Sequence, residues 1–392
     1  MKYRTITLII LLFAFSANSM LFSQESSGEL NAIHTVVPFL TIAPDSRAGA
    51  LGDAGVATSP DVYSMHWNPA KFAFIDGKGG IGVSYSPWLR NLVPDINIAY
   101  LSGYYRLDKN QVLSTSLVYS SLGDVDFTDF YGNLERVFKP NEWSFDLGYS
   151  RLFTDNLSGG IAFRFIYSNL TGGFYSGGEA TKAGLSVAAD ISTYYQKELS
   201  LFSKEGMIAF GINFSNIGSK MSYSDAQTSD FIPMNLRLGT SYTLDLDAFN
   251  KMTVTFDINK LLVPTPPIYD ISNPDSIIAG KDPDVGVPVA IFQSFVDAPG
   301  GFKEELREFT ISLGTEYWYN DQFALRAGYF HENETKGNRK YFTAGGGFRL
   351  NGFTVDFSYL MPVVQNHPLA RTLRFSLSFD SSALRNATRS RG

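Results

Sequence analysis

The sequence predicts an all-β protein, a fourteen-stranded antiparallel transmembrane β-barrel with a short, partly helical N-terminal segment at its mouth or in its lumen. Three observations carry this. Fourteen stretches alternate apolar and polar residues with a period of two, the links between them alternate long and short, and the chain opens on an export signal. Near the C-terminus Phe353, Val355, Phe357 and Tyr359 interleave with Thr354, Asp356 and Ser358, a spacing that sends one set to each face of a strand. A soluble sandwich would bury the apolar set, whereas a membrane barrel turns it to lipid and keeps the charges inside.

Lys2 and Arg4 precede an apolar run from Ile6 to Phe15, followed by small and polar residues to Gln24. This is the layout of a secretory signal peptide over residues 1–23, with cleavage near Ser19 or Ser23. The run is short of the ~20 residues a spanning helix needs. The absence of Cys excludes a lipoprotein anchor and requires an exported fold stable without disulfides.

Residues 24–78 do not alternate and read as a plug-like or periplasmic segment. A short helix is expected near Ser46–Gly52, and another from Asn68-Pro69, with Asn as the cap and Pro at the first helical position. Barrel strands are then expected, within residues 79–380, at 80–86, 96–106, 112–122, 143–153, 157–169, 183–196, 206–216, 234–244, 251–260, 309–319, 322–331, 340–350, 353–361 and 371–380. Residues 381–392 form a tail.

The links distinguish the two ends. Asp108–Asn110, Thr154–Asn156, Asp245–Asn250, Asn320-Asp321 and Asn351-Gly352 are short, and the last is a strong type I′ hairpin signal. Lys197–Glu205 is of middling length, and between these fall the longer 87–95, 123–142, 170–182, 217–233, 261–308, 332–339 and 362–370. Such alternation is expected when every second turn faces the periplasm, and an even strand number puts both termini there. Asp146, Arg164, Asp190, Arg237, Asp257, Glu316, Arg326, Asp356 and Arg374 fall on the luminal set. The pairs Tyr104-Tyr105 and Tyr194-Tyr195 and the run Tyr317-Trp318-Tyr319 suit interfacial girdles.

Composition agrees: aromatics are 15%, Gly numbers 35, charged residues are 18%, and the net charge of −6 excludes a nucleic-acid partner. The longest link, 261–308, is rich in proline yet carries Val287, Val289, Ile291, Phe292 and Phe295, an apolar content that points to partner docking. Trp88 and Leu89, Phe127, Phe130 and Tyr131, and Phe174 and Tyr175 are further candidate anchors in the outer links.

Catalytic and cofactor motifs are not found. Gly77, Gly79 and Gly82 match G-x-G-x-x-G but precede a strand rather than a helix. His34, His66, His331 and His367 are scattered, and Asp282 and Asp284 lack the remaining ligands of a calcium loop. No nucleophile elbow or Ser–His constellation supports a hydrolase. No cofactor or metal is expected.

The run Ile42-Ala43-Pro44-Asp45-Ser46-Arg47-Ala48-Gly49-Ala50-Leu51-Gly52-Asp53-Ala54-Gly55, continued by His66-Trp67-Asn68-Pro69-Ala70-Lys71, resembles the PorV family of FadL-superfamily outer-membrane barrels. Pro44, Asp45, Arg47, Ala48, Gly49, Gly52, Asn68, Pro69 and Ala70 carry that motif. The resemblance covers the mature chain. It implies a non-enzymatic adaptor of the type IX secretion system, one that binds the giant translocon barrel and the C-terminal domains of cargo and delivers them to the attachment-complex sortase. It also implies a setting of outer-membrane lipid and lipopolysaccharide. The alternative, from the wider superfamily, is a channel for hydrophobic small molecules.

Overall fold

In the computed structural model, alternate side chains of fourteen strands point outward into what is the lipid phase and inward onto a folded plug. The structure describes residues 30–89, 95–129, 131–173, 175–176, 179–200, 204–224, 229–273, 275–364 and 367–381, and residues 31 onward belong to one unit. The signal-peptide expectation and most of the tail lie outside the described residues.

The strands are β1 (Gly79–Pro87), β2 (Ile96–Arg106), β3 (Gln111–Leu122), β4 (Asn141–Leu152), β5 (Leu157–Asn169), β6 (Gly184–Glu198) and β7 (Gly206–Gly218), then β8 (Asn235–Asp245), β9 (Asn250–Leu261), β10 (Thr310–Tyr319), β11 (Phe323–His331), β12 (Lys340–Leu350), β13 (Phe353–Pro362) and β14 (Leu373–Asp380). Each pairs antiparallel with the next, and β1 pairs with β14, so the sheet closes and leaves no edge. Every one of the fourteen expected stretches is a barrel strand. Closure satisfies the backbone amides and carbonyls within the ladder, which hydrocarbon cannot do. Asn351-Gly352 and Asn320-Asp321 adopt the positive φ values that tight hairpins require.

The faces follow the alternation. Phe163 is 66% and Val187 60% exposed, while Asp146, Asp190, Asp257, Glu316 and Arg374 are all buried inside. The adjacent aromatics need correction as a girdle. A strand turns successive residues to opposite faces, so Tyr104, Tyr194 and Trp318 point inward and are buried, leaving Tyr105 and Tyr319 exposed. Tyr104 lies against Phe72, and Tyr194 against Phe74.

Residues 31–78 fill the lumen. Helix α1 (Ser46–Gly49) is capped by Asp45, whose carboxylate accepts from the Ala48 amide at 2.9 Å; α2 (Ser64–Trp67) follows, and Asn68 caps the 3-10 turn Pro69–Phe74. Small wall side chains hold the plug backbone from all round: Ser150 donates to the Pro69 carbonyl (2.7 Å), Ser158 to Ala70 (2.7 Å), Ser241 to Ala57 (2.6 Å), Ser102 to Val62 (2.6 Å) and Thr343 to Ala50 (2.9 Å). Gly328 faces the Leu51–Gly52 peptide so closely that a Cβ there would sit 2.1 Å from the Gly52 nitrogen. At the seam, the Tyr63 hydroxyl lies 3.0 Å from the Val83 carbonyl of β1 and 2.9 Å from the Leu377 carbonyl of β14, donating to one at a time.

The charged wall closes on the plug. Glu316 accepts Arg47 from the plug through both carboxylate oxygens (3.0 and 2.8 Å) and Arg326 at 2.6 Å, and Arg326 continues to Asp356 at 2.6 Å. Arg47 also meets Asp61 at 2.8 Å. Across the lumen Arg164 bridges Asp146 (2.7 Å) and Asp190 (3.2 Å), and the register shift between β6 and β7 turns Asn216 onto the same group.

Candidate functional site

The barrel end with the long links is built up, and the other end is not. The link after β3 carries a ladder of Val125–Thr128 with Leu134–Phe138, and the one after β5 pairs Tyr175 with Ala180. The proline-rich 261–308 link holds a short ladder and two helices, α3 (Val287–Gln293) and α4 (Phe302–Arg307). Pro288 sits at the start of α3, where its missing N–H has no intrahelical partner to lose.

The candidate anchors divide into two sets. Trp88 and Leu89 turn inward over the mouth, packing on the cluster of Phe330, Tyr341, Leu360 and Leu369, with the Trp88 ring 5.7 Å from the Arg374 guanidinium. Val287 and Ile291 also pack inward, beside the buried Ala290. Val289, Phe292 (78%) and Phe295 are exposed, joined by Val296, Phe302 (77%) and Leu306, which sequence reasoning missed. The i, i+3, i+4 spacing of Val289, Phe292, Phe295 and Val296 was the available signal. Phe127 faces the Phe138 ring at 6.4 Å, and Tyr131 is exposed at its hairpin tip. Phe130 and Phe174 lie outside the described residues.

The α3–α4 segment is held by ion pairs beneath it. Lys260 at the end of β9 reaches Glu305 (3.3 Å) and Glu308, and Lys336 reaches Glu304 (2.6 Å) and Glu308 (3.0 Å). Thr265 donates its hydroxyl to Glu308 at 2.6 Å, and Glu305 accepts the amides of Asp297 (2.6 Å) and Ala298 (2.8 Å). Burial, then the neighbouring Glu305 and Glu308, pushes the Asp297 carboxyl up to about 6 against the Thr265 amide that it accepts. Burial raises Glu304 too, but its hydrogen bond and charge partner Lys336, with the Gly300 amide, hold it below the usual carboxylate range.

Between these links and the plug lies a vestibule of about 320 Å³. Its floor is plug (Ala43, Asp53, Trp67), and its walls include Ile33, Trp88, Arg237, Asn259, Glu308, Glu332, Lys336, Arg339, Phe330 and Leu369.

The motif residues are structural. Pro44 is buried, the Asp45 carboxylate also accepts the Trp67 indole at 2.6 Å, Arg47 enters the ion cluster, and Asn68 donates to the carbonyls of Val56 and Thr193. Ala48 packs with Ala43 and Trp67, and Gly49 lies against Arg374. Gly52 adopts φ 69° against the Tyr329 backbone, a conformation other residues rarely accept. The Pro69 carbonyl and the Ala70 amide are taken by Ser150 and Ser192.

A closed, plugged barrel with a lipid-facing apolar surface and one elaborated end is an outer-membrane barrel of the secretion and transport class. Residues 24–268 match the family described as "Type IX secretion system protein PorV", and the chain belongs to that family. Among solved structures, the Pseudomonas putida toluene transporter TodX superposes with TM-score 0.52 at 11% identity, covering 91% of this chain and 100% of that one. The Ralstonia pickettii toluene transporter TbuX gives 0.45 at 10%, covering 87% and 98%, and a Pseudomonas aeruginosa FadL homologue 0.41 at 11%, covering 90% and 99%. At such identity the TodX likeness speaks for a FadL-like fold alone. A search of curated proteins found no match.

Proposed function

We propose that this type IX secretion component is a non-enzymatic adaptor that binds the translocon barrel and the C-terminal domains of cargo and passes them to the attachment-complex sortase. In this reading the signal peptide is cleaved, the long links are extracellular and the C-terminus is periplasmic; the expectation of a periplasmic N-terminus fails, because Asn31 bonds to Pro266, Glu304 and Thr335 of the long links and the plug therefore starts at the outer end. The observation that carries it is the apolar face of Val289, Phe292, Phe295, Val296, Phe302 and Leu306, raised on a segment clamped by buried ion pairs. A rigid platform loses little entropy on docking, and central aromatics are the side chains that dominate interfaces.

The second reading, a channel for hydrophobic small molecules, draws on the likeness to the TodX toluene transporter. The plug speaks against it: a solute would have to part the Arg47–Glu316–Arg326 cluster and the Ser150 and Ser241 bonds.

Affinity purification from outer membranes in mild detergent tests the adaptor reading. Wild type is expected to recover secretion-system partners, and a Val289→Glu/Phe292→Glu variant to lose them while keeping its heat-modifiable gel migration. Equal recovery by both removes the platform from the interface. Normal secretion combined with failed uptake of a hydrophobic substrate in a deletion strain favours the channel.

A further inference from the structure

The lipid face of the wall carries a hollow of about 360 Å³ near the short-link ends of β1 to β4. In register, Ile81 of β1, Gly103 of β2, Thr115 of β3 and Leu147 of β4 form one outward row, and its two middle members are small. Gly103 and Thr115 make the floor, while Ile81, Tyr105, Leu113 and Leu147 stand round it as exposed walls. The ladder beneath runs unbroken from Ile96–Leu122 to Arg106–Val112, so the hollow is a dent in a closed wall and not an opening through it. The Thr115 hydroxyl donates to the Asp146 carbonyl at 2.9 Å, which leaves the floor without an unmet donor.

Neither conformation nor packing within the chain explains a glycine at position 103. Its backbone is not left-handed, and a Cβ built there would meet only the Gly80 carbonyl, at 3.3 Å. The inward glycines beside it differ: a Cβ on Gly80 would strike the Tyr104 ring at 2.6 Å, and one on Gly82 the Val62 side chain at 2.7 Å. Outward glycines elsewhere are roofed by a neighbour, Gly159 by the Phe153 ring (2.6 Å) and Gly346 by the Phe357 ring (3.0 Å). A glycine inside a strand weakens it and often marks where another molecule comes close. At 103 the roof is left to something outside the chain.

The rim of the hollow is charged. Lys78 is exposed, brings its ammonium within 5.9 Å of the Tyr105 ring, and accepts the Arg106 amide on its carbonyl at 2.8 Å. Of the acids at this end, Asp108 is taken by the Gln111 side chain (2.6 Å) and the amides of Asn110 (2.8 Å) and Gln111 (2.9 Å), and Asp380 by the Tyr104 hydroxyl (2.6 Å). Asp76 and Asp155 are exposed to water. A lysine beside an outward tyrosine at the edge of the hydrocarbon sets an ammonium at the level of lipid headgroups. We propose that the hollow holds one acyl chain of a phospholipid as a resident ligand, with the lipid's phosphate on Lys78. Gly103 to Arg106 is roughly 10 Å of strand, so a chain lying over Gly103 has its phosphate level with the strand ends, where Lys78 stands. Lysine meets phosphate as a point charge and needs no bidentate geometry. A phospholipid rather than lipid A is named because the short links mark the periplasmic leaflet in the orientation adopted above; the inference rests on that orientation and not on the adaptor role.

The test is native mass spectrometry of the full barrel, purified from outer membranes in mild detergent, then stripped and re-exposed to one probe at a time: dioleoylphosphatidylglycerol, dioleoylglycerol or lipid A. Wild type is expected to leave the membrane with one phospholipid bound. It is expected to retake phosphatidylglycerol about fivefold more tightly than dioleoylglycerol, the scale of one basic side chain at a lipid surface. Gly103→Leu fills the hollow and is expected to lose the lipid with heat-modifiable migration intact, whereas Ala327→Leu, on the exposed face of β11, is expected to keep it. Lys78→Ala is expected to bind phosphatidylglycerol and dioleoylglycerol equally. A bound lipid that survives Gly103→Leu, equal loss in Gly103→Leu and Ala327→Leu, a phosphate preference that survives Lys78→Ala, or a random spread of bound lipids in wild type overturns the proposal. Lipid A retained in preference to phosphatidylglycerol overturns it together with the orientation, while the absence of any bound lipid overturns it alone. Where Gly103→Leu yields no folded barrel, Lys78→Ala and the wild-type probe ratio decide.

Discussion

Replacing Glu316 with Gln strikes the contact between plug and wall with the most charge in it. The carboxylate accepts three bonds from two arginines, Arg47 of the plug and Arg326 of β11, at 2.6 to 3.0 Å, and is 3% exposed. An amide keeps the shape but removes the charge, and its NH2 group faces a guanidinium. Breaking a buried pair by losing one partner costs about 3–5 kcal/mol. Arg47 retains Asp61 and Arg326 retains Asp356, so the lower figure applies. At 1.4 kcal/mol per decade, about 3 kcal/mol raises the fraction of displaced plugs roughly 100-fold. The wall ladder is untouched, so the barrel stays folded. Purified protein in planar bilayers is the assay: wild type is expected to be silent and Glu316→Gln to show intermittent conductance with unchanged heat-modifiable migration. A silent variant, or one that simply fails to fold, refutes the idea that this cluster latches the plug.

Three further outcomes follow from the same geometry. Gly328→Val drives a side chain into the Gly52 peptide and is expected to abolish the heat-modifiable band in refolding assays, whereas Gly132→Val, with open space around it and positive φ, costs only local strain. Phe163→Arg, on the exposed lipid face, is expected to destabilise the barrel by about 2–4 kcal/mol in denaturant titration, if the residue lies at midplane. The α3–α4 clamp depends on pH through Asp297, whose carboxyl is raised to about 6 in the folded chain; a raised acid contributes stability in full below its unfolded value and loses it as pH rises through 6. Hydrogen-exchange protection across residues 261–308, corrected for the intrinsic pH dependence of exchange, is expected to fall between about pH 4 and 6, and Asp297→Asn to flatten the dependence.

The barrel was legible because its signal is redundant. Period-two alternation recurs in fourteen strands, and Asn-Gly or Asn-Asp turns set register locally. The luminal charges were legible too, since Asp146 or Arg374 can only face inward when its neighbours are Phe145 and Leu147, or Leu373 and Phe375. The aromatic runs misled because adjacency was read as a shared face. The helices of 261–308 were hidden by proline, whose effect depends on position: Pro288 at the first turn starts α3 rather than stopping it. Which anchors turn outward was not legible, because Trp88 and Phe292 differ only in the tertiary surface available to each.

The Tyr63 hydroxyl, shared between two carbonyls that face each other across the joint of the first and last staves, has a consequence for biogenesis. The stretch that holds it leaves the ribosome before any stave exists, yet its bonding partners come from opposite extremes of the cylinder. A hoop drawn shut without that stretch in place would meet at a joint missing its rivet, with Ser376 also deprived of Ser46. The earliest part of the chain is thus the mandrel for the latest event.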